Sequence, residues 1–353
     1  MALIGEANRR WWVLVAMTGS LSMILLDQTI VSVALPSIQR DLDLTQTEVQ
    51  WVVNAYLLAI AALVAVGGRL STMFDPVRMF QLGVVVFAAG SAATGLADGE
   101  AMIIAARAVQ GVGAALMIPP SGSLVLNSFP LNERGRAMGI YAGVSMVFLS
   151  LGPLLGGLLT EIDWRLVFWV NVPLAAVTIL LTVVAKPEGE RAGGHFDVPG
   201  ALTLVPGLIA LVLALQQGSD WGWSAPITIG LLAASGVLLA AFLALEPRVR
   251  EPIVELRLFR GRNFAGNNAV LFLVQFSLVG MTVFGAIFVQ DILGFSSIEA
   301  GLSLLAVTLP LLVLAPVSGG IYDRIGPRGL VTLGCAMAGA GLIWTAAVLE
   351  KES

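Results

Sequence analysis

Long apolar runs recur along almost the whole chain, and they constrain its fold more than any other feature. Eleven such runs, each of about 20 residues, are separated by polar connections. This length suits an α-helix that crosses a bilayer, and the runs lack the alternating pattern of membrane-barrel strands. Because a backbone in lipid must satisfy its own hydrogen bonds, we expect an all-α, polytopic membrane helical bundle.

The composition agrees with this fold class. Hydrophobic residues make up 57% of the chain and charged residues only 12%, whereas soluble domains carry about 25% charged residues. The predicted transmembrane helices are Trp11–Ala34, Val49–Leu70, Met79–Ala97, Ala101–Pro119, Gly135–Thr160, Val167–Ala185, Gly200–Gln216, Ala225–Leu245, Asn268–Gln290, Gly301–Ile321 and Leu330–Leu349.

Basic residues predict the orientation of these helices. If the N-terminus lies inside, most of the 19 Lys and Arg residues fall on the inner side, as the positive-inside rule requires. Only Arg40, Arg165 and Lys351 then fall outside. We therefore expect a multi-pass protein of the cell (cytoplasmic) membrane with a cytoplasmic N-terminus and, after eleven helices, an external C-terminus.

The remaining composition narrows the chemistry. The chain has one histidine, His195, and one cysteine, Cys335, so it offers no His/Cys metal site. Its net charge of −4 is small, and no basic cluster with interleaved aromatic residues predicts binding to nucleic acid. We expect no cofactor and no metal, and the oligomeric state stays open.

Two ionised residues lie deep inside predicted spans. They are Asp27, in LDQTIVSVALP, and Arg107, in AARAVQGVGAALMIPP. A charge at the centre of a membrane helix costs roughly 2.5–3.5 kcal/mol on insertion scales, so each residue marks a candidate functional site. A low-dielectric surrounding disfavours an ionised carboxylate, which gives such a group the means to bind and release a proton.

Both residues also have a structural interpretation. Asp27 would then bond a neighbouring helix without titrating. Arg107 keeps its proton and can only pair, orient or repel; in the structural interpretation it holds carbonyl groups or an Asn of a neighbouring helix. Gln110 lies one turn from Arg107 on the same helix face. Together with Gln28 and Asn54, it forms the predicted supporting polar network.

Other polar and aromatic residues inside the spans are open to two interpretations. Asn54, Asn171 and Gln275 either line a cavity or each make one interhelical hydrogen bond. Large side chains such as Tyr56, Trp51, Phe148 and the Met residues either form an adaptable apolar pocket or contact lipid, and we prefer lipid contact for most of them.

Two further patterns concern the packing of helices and the loops between them. In the fifth span, glycines at four-residue spacing predict close helix contacts, and Pro153 removes a helix hydrogen bond. The segments GGRLSTMFDPVRMFQLG (67–83) and GGIYDRIGPRGLVTLG (319–334) are similar to each other, which indicates an internal repeat.

These strings together resemble the major facilitator superfamily, and within it the fourteen-helix drug:proton antiporter branch (EmrB/QacA type). The similarity runs from the first span to the end of the chain. The strings that carry it are LDQTIVSVALP, QWVVNAYLLA, RAVQGVGAALMIPPS, GVSMVFLSLGPLLGGLL and DWRLVFWVNVP.

The resemblance implies a major facilitator fold and proton-coupled efflux of small apolar or cationic compounds, with lipid, substrate and protons as partners. It assigns proton coupling to Asp27 and Arg107. It also assigns a leak-suppressing antiporter motif, made of Gly143, Gly152, Pro153, Gly156 and Gly157. The gating loops that it implies are Gly68, Arg69, Asp75 and Arg78 in the first copy and Gly319, Asp323, Arg324, Gly326 and Arg328 in the second.

The chain departs from the family pattern in two places. In the first gating loop, Thr72 stands at the acidic position and Asp75 at a glycine position; Asp75 either replaces the lost charge or reflects loop drift, which we prefer. The fourteen-helix pattern also predicts an N-terminal six-helix bundle (1–185), two inserted helices (186–246) and an incomplete C-terminal bundle (247–353). The alternative function is therefore a truncated, non-transporting membrane protein with a scaffold or regulatory role.

Overall fold

A computed structural model describes residues 5–189, 193–288 and 309–352, together with positions 292 and 294. These residues are almost entirely helical. The α-helices are α1 (Glu6–Asp41), α2 (Gln46–Met73), α3 (Pro76–Gly95), α4 (Glu100–Ser128), α5 (Arg134–Ile162), α6 (Leu166–Trp169), α7 (Asn171–Ala185), α8 (Val198–Trp221), α9 (Pro226–Leu245), α10 (Arg262–Ile287), α11 (Leu311–Ile325) and α12 (Pro327–Glu352). Short 3-10 turns cover Leu131–Glu133, Glu246–Arg248 and Leu256–Arg260.

Several helices begin at residues that cap them. Thr45 and Glu48 form a reciprocal capping box at the start of α2, which satisfies two backbone N–H groups. The side chain of Asp75 caps α3, and that of Asp197 caps α8. Gly326 ends α11 with a φ of 80°, a conformation that glycine adopts without steric cost.

The predicted all-α membrane fold is confirmed. Among the described residues, eight helical segments are long and apolar enough to cross a membrane, and they coincide with the first eight predicted spans. The ninth and eleventh predictions correspond to α10 and α12, and α11 covers the second half of the tenth. The predicted start of the tenth span at Gly301 and the end of the ninth at Gln290 lie outside the described residues.

Several predicted helix ends were wrong. The first span was expected to stop at Ala34, but α1 continues through Pro36 to Asp41. The fourth span was expected to stop at Pro119, but α4 continues through Pro119 and Pro120 to Ser128. The seventh was expected to stop at Gln216, but α8 continues to Trp221. A proline in a membrane helix frees only local backbone groups, and neighbouring helices can satisfy them, so it does not have to end the helix.

Helices α1 to α7 pack together around two clusters of buried apolar side chains. Helix α1 lies against α5 and α7, while α4 lies between α2 and α3. Helices α8 and α9 form a hairpin that contacts α2, and α11 packs along α5. This arrangement brings α1, α2, α4 and α7 together at the two charged positions that the sequence indicates.

Candidate functional site

Asp27 and Arg107 meet in the interior of the α1–α7 bundle. The Nη1 atom of Arg107 donates a hydrogen bond to Asp27 Oδ2 over 2.6 Å. Both side chains are shielded from solvent, with 0% of Asp27 and 1% of Arg107 exposed. The two isolated charges of the sequence therefore form one buried ion pair, which links α1 to α4.

The carboxylate of Asp27 accepts two further hydrogen bonds. Gln110 Nε2 and Asn171 Nδ2 both donate to Asp27 Oδ1, over 2.8 and 3.0 Å. An ionised carboxylate only accepts hydrogen bonds, so three donors including a guanidinium fit its charged form. We call Asp27, Arg107, Gln110 and Asn171 the acid–arginine cluster.

Arg107 has other partners besides Asp27. Its Nε donates to the carbonyl of Val52 over 2.8 Å, and Nη1 also donates to Gln110 Oε1 over 2.7 Å. The guanidinium carbon lies 4.3 Å from the ring centroid of Tyr56 and 5.8 Å from that of Phe168, which is cation–π distance. These partners would remain available to the buried guanidinium if Asp27 became neutral.

Glycines allow the helices that carry the cluster to approach one another. A methyl group built on Gly90 of α3 would lie 2.6 Å from the backbone nitrogen of Gln110. One built on Gly111 of α4 would lie 2.5 Å from the carbonyl oxygen of Tyr56. Larger side chains at these positions would push α3 and α2 away from α4, and so from the cluster.

Asn171 lies where α6 ends and α7 begins. Pro173 follows two residues later and has no backbone N–H for the preceding turn. The Nδ2 group of Asn171 also donates to Ser91 Oγ over 3.0 Å, and Ser91 donates to the carbonyl of Phe168 over 2.8 Å. Asn171 is therefore held by α3 and α6 while it contacts Asp27.

The cluster differs in membership from the predicted network. Gln110 lies in it, but Gln28 and Asn54 make no hydrogen bond to Asp27 or Arg107 in the described part of the chain. Both side chains are only partly buried. The amide that bonds to Asp27 beside Gln110 belongs instead to Asn171. The sequence analysis had identified Asn171 only as a polar residue within a span.

Lipid contact, the interpretation preferred for most of these large side chains, does not hold for Tyr56. Its side chain is 0% exposed and covers Arg107, and its hydroxyl donates to the carbonyl of Ile24 over 3.4 Å. Aromatic patterning alone gives no sign of this position, because it depends on the contact between α2 and α4.

The glycines of the predicted antiporter motif contact two different helices. A methyl group built on Gly143 would lie 2.8 Å from the carbonyl oxygen of Leu311 on α11. One built on Gly156 would lie 2.7 Å from the carbonyl oxygen of Ile30 on α1, and one on Gly152 would collide with Thr29. Gly157 has open space, and α5 continues through Pro153.

The predicted first gating loop contacts the segment after α9. Arg69 Nη2 bonds to Glu251 Oε2 over 2.7 Å and to the carbonyl of His195 over 2.9 Å. The backbone N–H of His195 and the guanidinium of Arg69 hold the pKa of the Glu251 carboxyl below its usual range, although partial desolvation opposes this. Gly68 makes only ordinary contact with Pro119.

Asp75 has a local task in that loop. Its Oδ1 atom accepts hydrogen bonds from the backbone N–H groups of Val77, over 2.8 Å, and Arg78, over 3.1 Å. It thereby caps α3, while the Arg78 side chain is exposed. The carboxylate of Asp75 therefore accepts hydrogen bonds from the first backbone N–H groups of the helix that it caps.

The predicted second gating loop contacts the start of α5. Asp323 accepts hydrogen bonds from the backbone N–H groups of Gly135, over 2.8 Å, and Arg136, over 2.9 Å. Gly319 packs so closely against Gly135 that an added methyl group would collide with it. Gly326 ends α11, and the side chains of Arg324 and Arg328 are exposed.

Solved structures with a similar fold are membrane transporters. A proton:xylose symporter, XylE, bound to 6-bromo-6-deoxy-D-glucose matches with a TM-score of 0.56 and 13% identity, over 91% of this chain and 70% of that one. The human organic anion transporter MFSD10 (TETRAN) matches with a TM-score of 0.58 and 18% identity, over 91% and 74%. At these identities the likeness concerns the fold, a polytopic helical bundle.

Residues 17–351 match the Major Facilitator Superfamily, and the chain belongs to that superfamily. Among its relatives, the Tetracenomycin C resistance and export protein of Streptomyces glaucescens is 37% identical, over 99% of this chain and 65% of the relative. The Puromycin resistance protein pur8 of Streptomyces alboniger is 36% identical, over 96% and 68%. The Multidrug resistance protein Stp of Mycobacterium tuberculosis (strain CDC 1551 / Oshkosh) is 36% identical, over 95% and 63%. The chain spans about two thirds of the length of these relatives.

Proposed function

We propose that this chain serves proton-coupled efflux of small apolar or cationic compounds, with Asp27 as the proton-binding group and Arg107 as its electrostatic partner. The observation that carries this proposal is the acid–arginine cluster, buried within membrane-crossing helices. The names of the relatives add support, since they refer to resistance, export and multidrug resistance.

Proton binding at Asp27 would change the balance of charge in the cluster. In the arrangement described, Arg107 neutralises the carboxylate across 2.6 Å. A proton on Asp27 removes this attraction and leaves the guanidinium without a counter-charge. Since an uncompensated buried charge is strongly unfavourable, protonation would drive the helices that carry the pair toward another arrangement.

Arg107 can remain in place during such a cycle. The carbonyl of Val52, the amide oxygen of Gln110 and the ring of Tyr56 would still hold it after the ion pair breaks. A cationic substrate could compete with Arg107 for the same carboxylate. Protons and substrate would then bind in turn at Asp27, as antiport requires.

The remaining motifs fit a role in alternating access. We propose that α5 acts as a contact surface for both α1 and α11, through Gly156 and Gly143. The division into residues 1–185, 186–246 and 247–353 belongs to the same proposal. So do a cell-membrane location and a cytoplasmic N-terminus, because the basic residues favour that orientation.

The test compares Asp27→Asn with the wild-type chain in proteoliposomes. The probe is ethidium, a cationic apolar dye, with a proton gradient of either direction imposed across the membrane. We expect the gradient to accelerate dye movement in the wild type and to have no effect in the variant. Asp220→Asn, at an exposed carboxylate near the end of α8, is the control and should behave as the wild type.

Two results would contradict the proposal. Unchanged gradient-driven transport in Asp27→Asn would remove that residue from proton coupling. A wild-type chain that inserts and folds but moves neither dye nor protons would favour the scaffold role.

A further inference from the structure

Two carboxyl groups lie together at one end of the α8–α9 hairpin, far in sequence from the acid–arginine cluster. Asp197 caps the start of α8, and Glu246 directly follows the end of α9. Asp197 is 3% exposed and Glu246 only 1% exposed. Ionisable groups this deeply buried require compensation of their charge.

Each carboxyl group uses only one of its oxygens. Asp197 Oδ1 accepts a hydrogen bond from the N–H of Gly200 over 2.8 Å, and Glu246 Oε1 accepts one from the N–H of Val254 over 2.6 Å. Asp197 Oδ2 and Glu246 Oε2 are buried without a hydrogen-bond partner among the described residues.

These two unused oxygens point to the same place. A methyl group built on Gly200 would collide with Asp197 Oδ2 and lie 2.9 Å from Glu246 Oε2. Both oxygens therefore border the small space that this glycine leaves free. A hydrogen-bond donor between Asp197 Oδ2 and Glu246 Oε2 would give both buried oxygens a partner.

Charged side chains on the surrounding elements have other partners or are exposed. Arg69 of α2 bonds to Glu251 and to the carbonyl of His195, and Arg248 bonds to the carbonyl of Ala244. The other charged or titratable side chains near the pair are those of His195, Arg250, Glu255, Arg257 and Arg260, which are exposed. None of these side chains makes a hydrogen bond to Asp197 or Glu246 in the described part of the chain.

We propose that Asp197 and Glu246 form a proton-binding site, in which the two carboxyl groups share one proton between Oδ2 and Oε2. The protonated oxygen donates and the other accepts, so that both unused oxygens gain a partner. One proton also removes the repulsion between two buried negative charges, which is the reason that neighbouring carboxyl groups share protons.

The shared proton would join three parts of the molecule. Asp197 begins α8, Glu246 follows α9, and Glu246 Oε1 holds the backbone of Val254 in the segment 249–261. When the proton leaves for water, two carboxylates face each other and Glu246 turns toward solvent. The hydrogen bond to Val254 is then lost, and the segment 249–261 separates from the start of α8.

The experiment is hydrogen exchange of the full chain in lipid nanodiscs from pH 6 to pH 9, corrected for intrinsic exchange rates. In the wild type we expect the protection of the amides in 249–261 to fall at least about tenfold across this range, the effect of one unit of differential proton affinity. Glu246→Gln carries an amide that donates permanently to Asp197 Oδ2, so its protection should not depend on pH.

Two variants make the result specific. Glu255→Gln changes an exposed carboxyl group in the same segment and should retain the wild-type pH dependence. Asp197→Asn retains a side chain that caps a helix well, but it should lose the pH dependence. The test therefore does not depend on the folding of a single variant. In an Asp27→Asn background, which removes the other proposed proton-binding carboxyl group, an infrared band of a protonated carboxyl group should be present at pH 6 in the otherwise unchanged chain and with Glu255→Gln, but absent with Asp197→Asn.

Three outcomes would overturn the proposal. They are wild-type protection that does not change with pH, an infrared band that persists in Asp197→Asn, and protection that follows the concentration of sodium or magnesium at constant pH. The last would identify a metal cation in place of the proton. None of these outcomes depends on Asp27 or on transport, so the proposed function is tested separately.

Discussion

A buried arginine and a buried aspartate depend on each other for their stability. Arg107 and Asp27 are 1% and 0% exposed, and each is the only charged group within hydrogen-bond distance of the other in the described structure. Removing one partner from such a pair costs about 3–5 kcal/mol, because the other charge remains buried. Removing both charges costs far less.

This dependence gives a prediction for Arg107→Ala. The variant leaves the Asp27 carboxylate with only the amides of Gln110 and Asn171, so we expect a clear drop in thermal stability in detergent. The double variant Asp27→Asn/Arg107→Ala should be more stable than Arg107→Ala alone. The measurement is a double-mutant cycle of unfolding temperatures at one scan rate.

The cycle also separates the roles of the two residues. If the two single effects simply add, the ion pair makes no contribution of its own, and the electrostatic account of the cluster fails. Arg107→Lys is a useful third variant, since it keeps the charge but cannot reach Val52, Asp27 and Gln110 with one planar group.

At the scale of single helices, α5 shows that the space for an added methyl group differs sharply between adjacent residues. Its residue Gly156 faces the backbone of α1, where the carbonyl oxygen of Ile30 has little freedom to move. The adjacent Gly157 has no neighbour within 4 Å of an added methyl group. Two consecutive glycines of one helix therefore have opposite tolerance for a side chain.

We predict that Gly156→Ala destabilises the chain by about 1–3 kcal/mol, the usual cost of forcing an extra carbon into a packed interior. Gly157→Ala should be neutral or stabilising by up to about 1 kcal/mol, because alanine favours helix more than glycine does. Thermal unfolding of the two variants side by side provides the comparison. Equal losses would show that helix flexibility, and not the contact with α1, matters at this motif.

The sequence predicted most of these helices because their signal is local. Runs of about 20 apolar residues locate a membrane helix without knowledge of its neighbours. The ends were less predictable: the fourth span was expected to stop at Pro119, yet α4 continues through Pro119 and Pro120 to Ser128. Whether a proline ends a helix depends on the groups that neighbouring helices offer, which the local sequence does not contain.

The site was predictable only in part, for the same reason. Asp27 and Arg107 were found because a charge in an apolar run is conspicuous in one dimension. Their contact spans 80 residues of sequence, and nothing in either run predicts it. Asn171 resembles any other polar residue in a span, and its contact with Asp27 results from the packing of α7 beside α1.

At the scale of the whole molecule, the hairpin α8–α9 connects to the bundle through Arg69. This arginine of α2 contacts the segments on both sides of the hairpin, at the carbonyl of His195 and the carboxylate of Glu251. The predicted first gating loop has Thr72 where the family pattern has an acidic residue. Its Arg69 instead forms an ion pair with Glu251, which lies after α9.

The pH dependence of this connection follows from the lowered pKa of Glu251. A carboxyl group whose pKa is lowered on folding stabilises the fold above its unfolded pKa of about 4.3, and the stabilisation is lost as the pH falls through the folded value. We therefore expect amide exchange in the segment 193–197 to accelerate below about pH 4.3 in the wild type.

Two variants check the origin of that acid response. Glu251→Gln should exchange rapidly in the segment 193–197 at all pH values, because its neutral amide binds Arg69 weakly. Glu255→Gln, at an exposed carboxyl group four residues away, should match the wild type. An acid response that survives in Glu251→Gln would assign it to another carboxyl group.

The buried pair of Asp27 and Arg107 also has an electrical consequence. As long as the carboxylate is ionised, the interior of the bundle is neutral and does not respond to the voltage across the bilayer. If Asp27 binds protons as proposed, each proton gives this interior a net positive charge, and a full charge that crosses 100 mV changes its energy by about 2.3 kcal/mol. Rearrangements of the protonated state would therefore be voltage-dependent, and those of the ionised state would not.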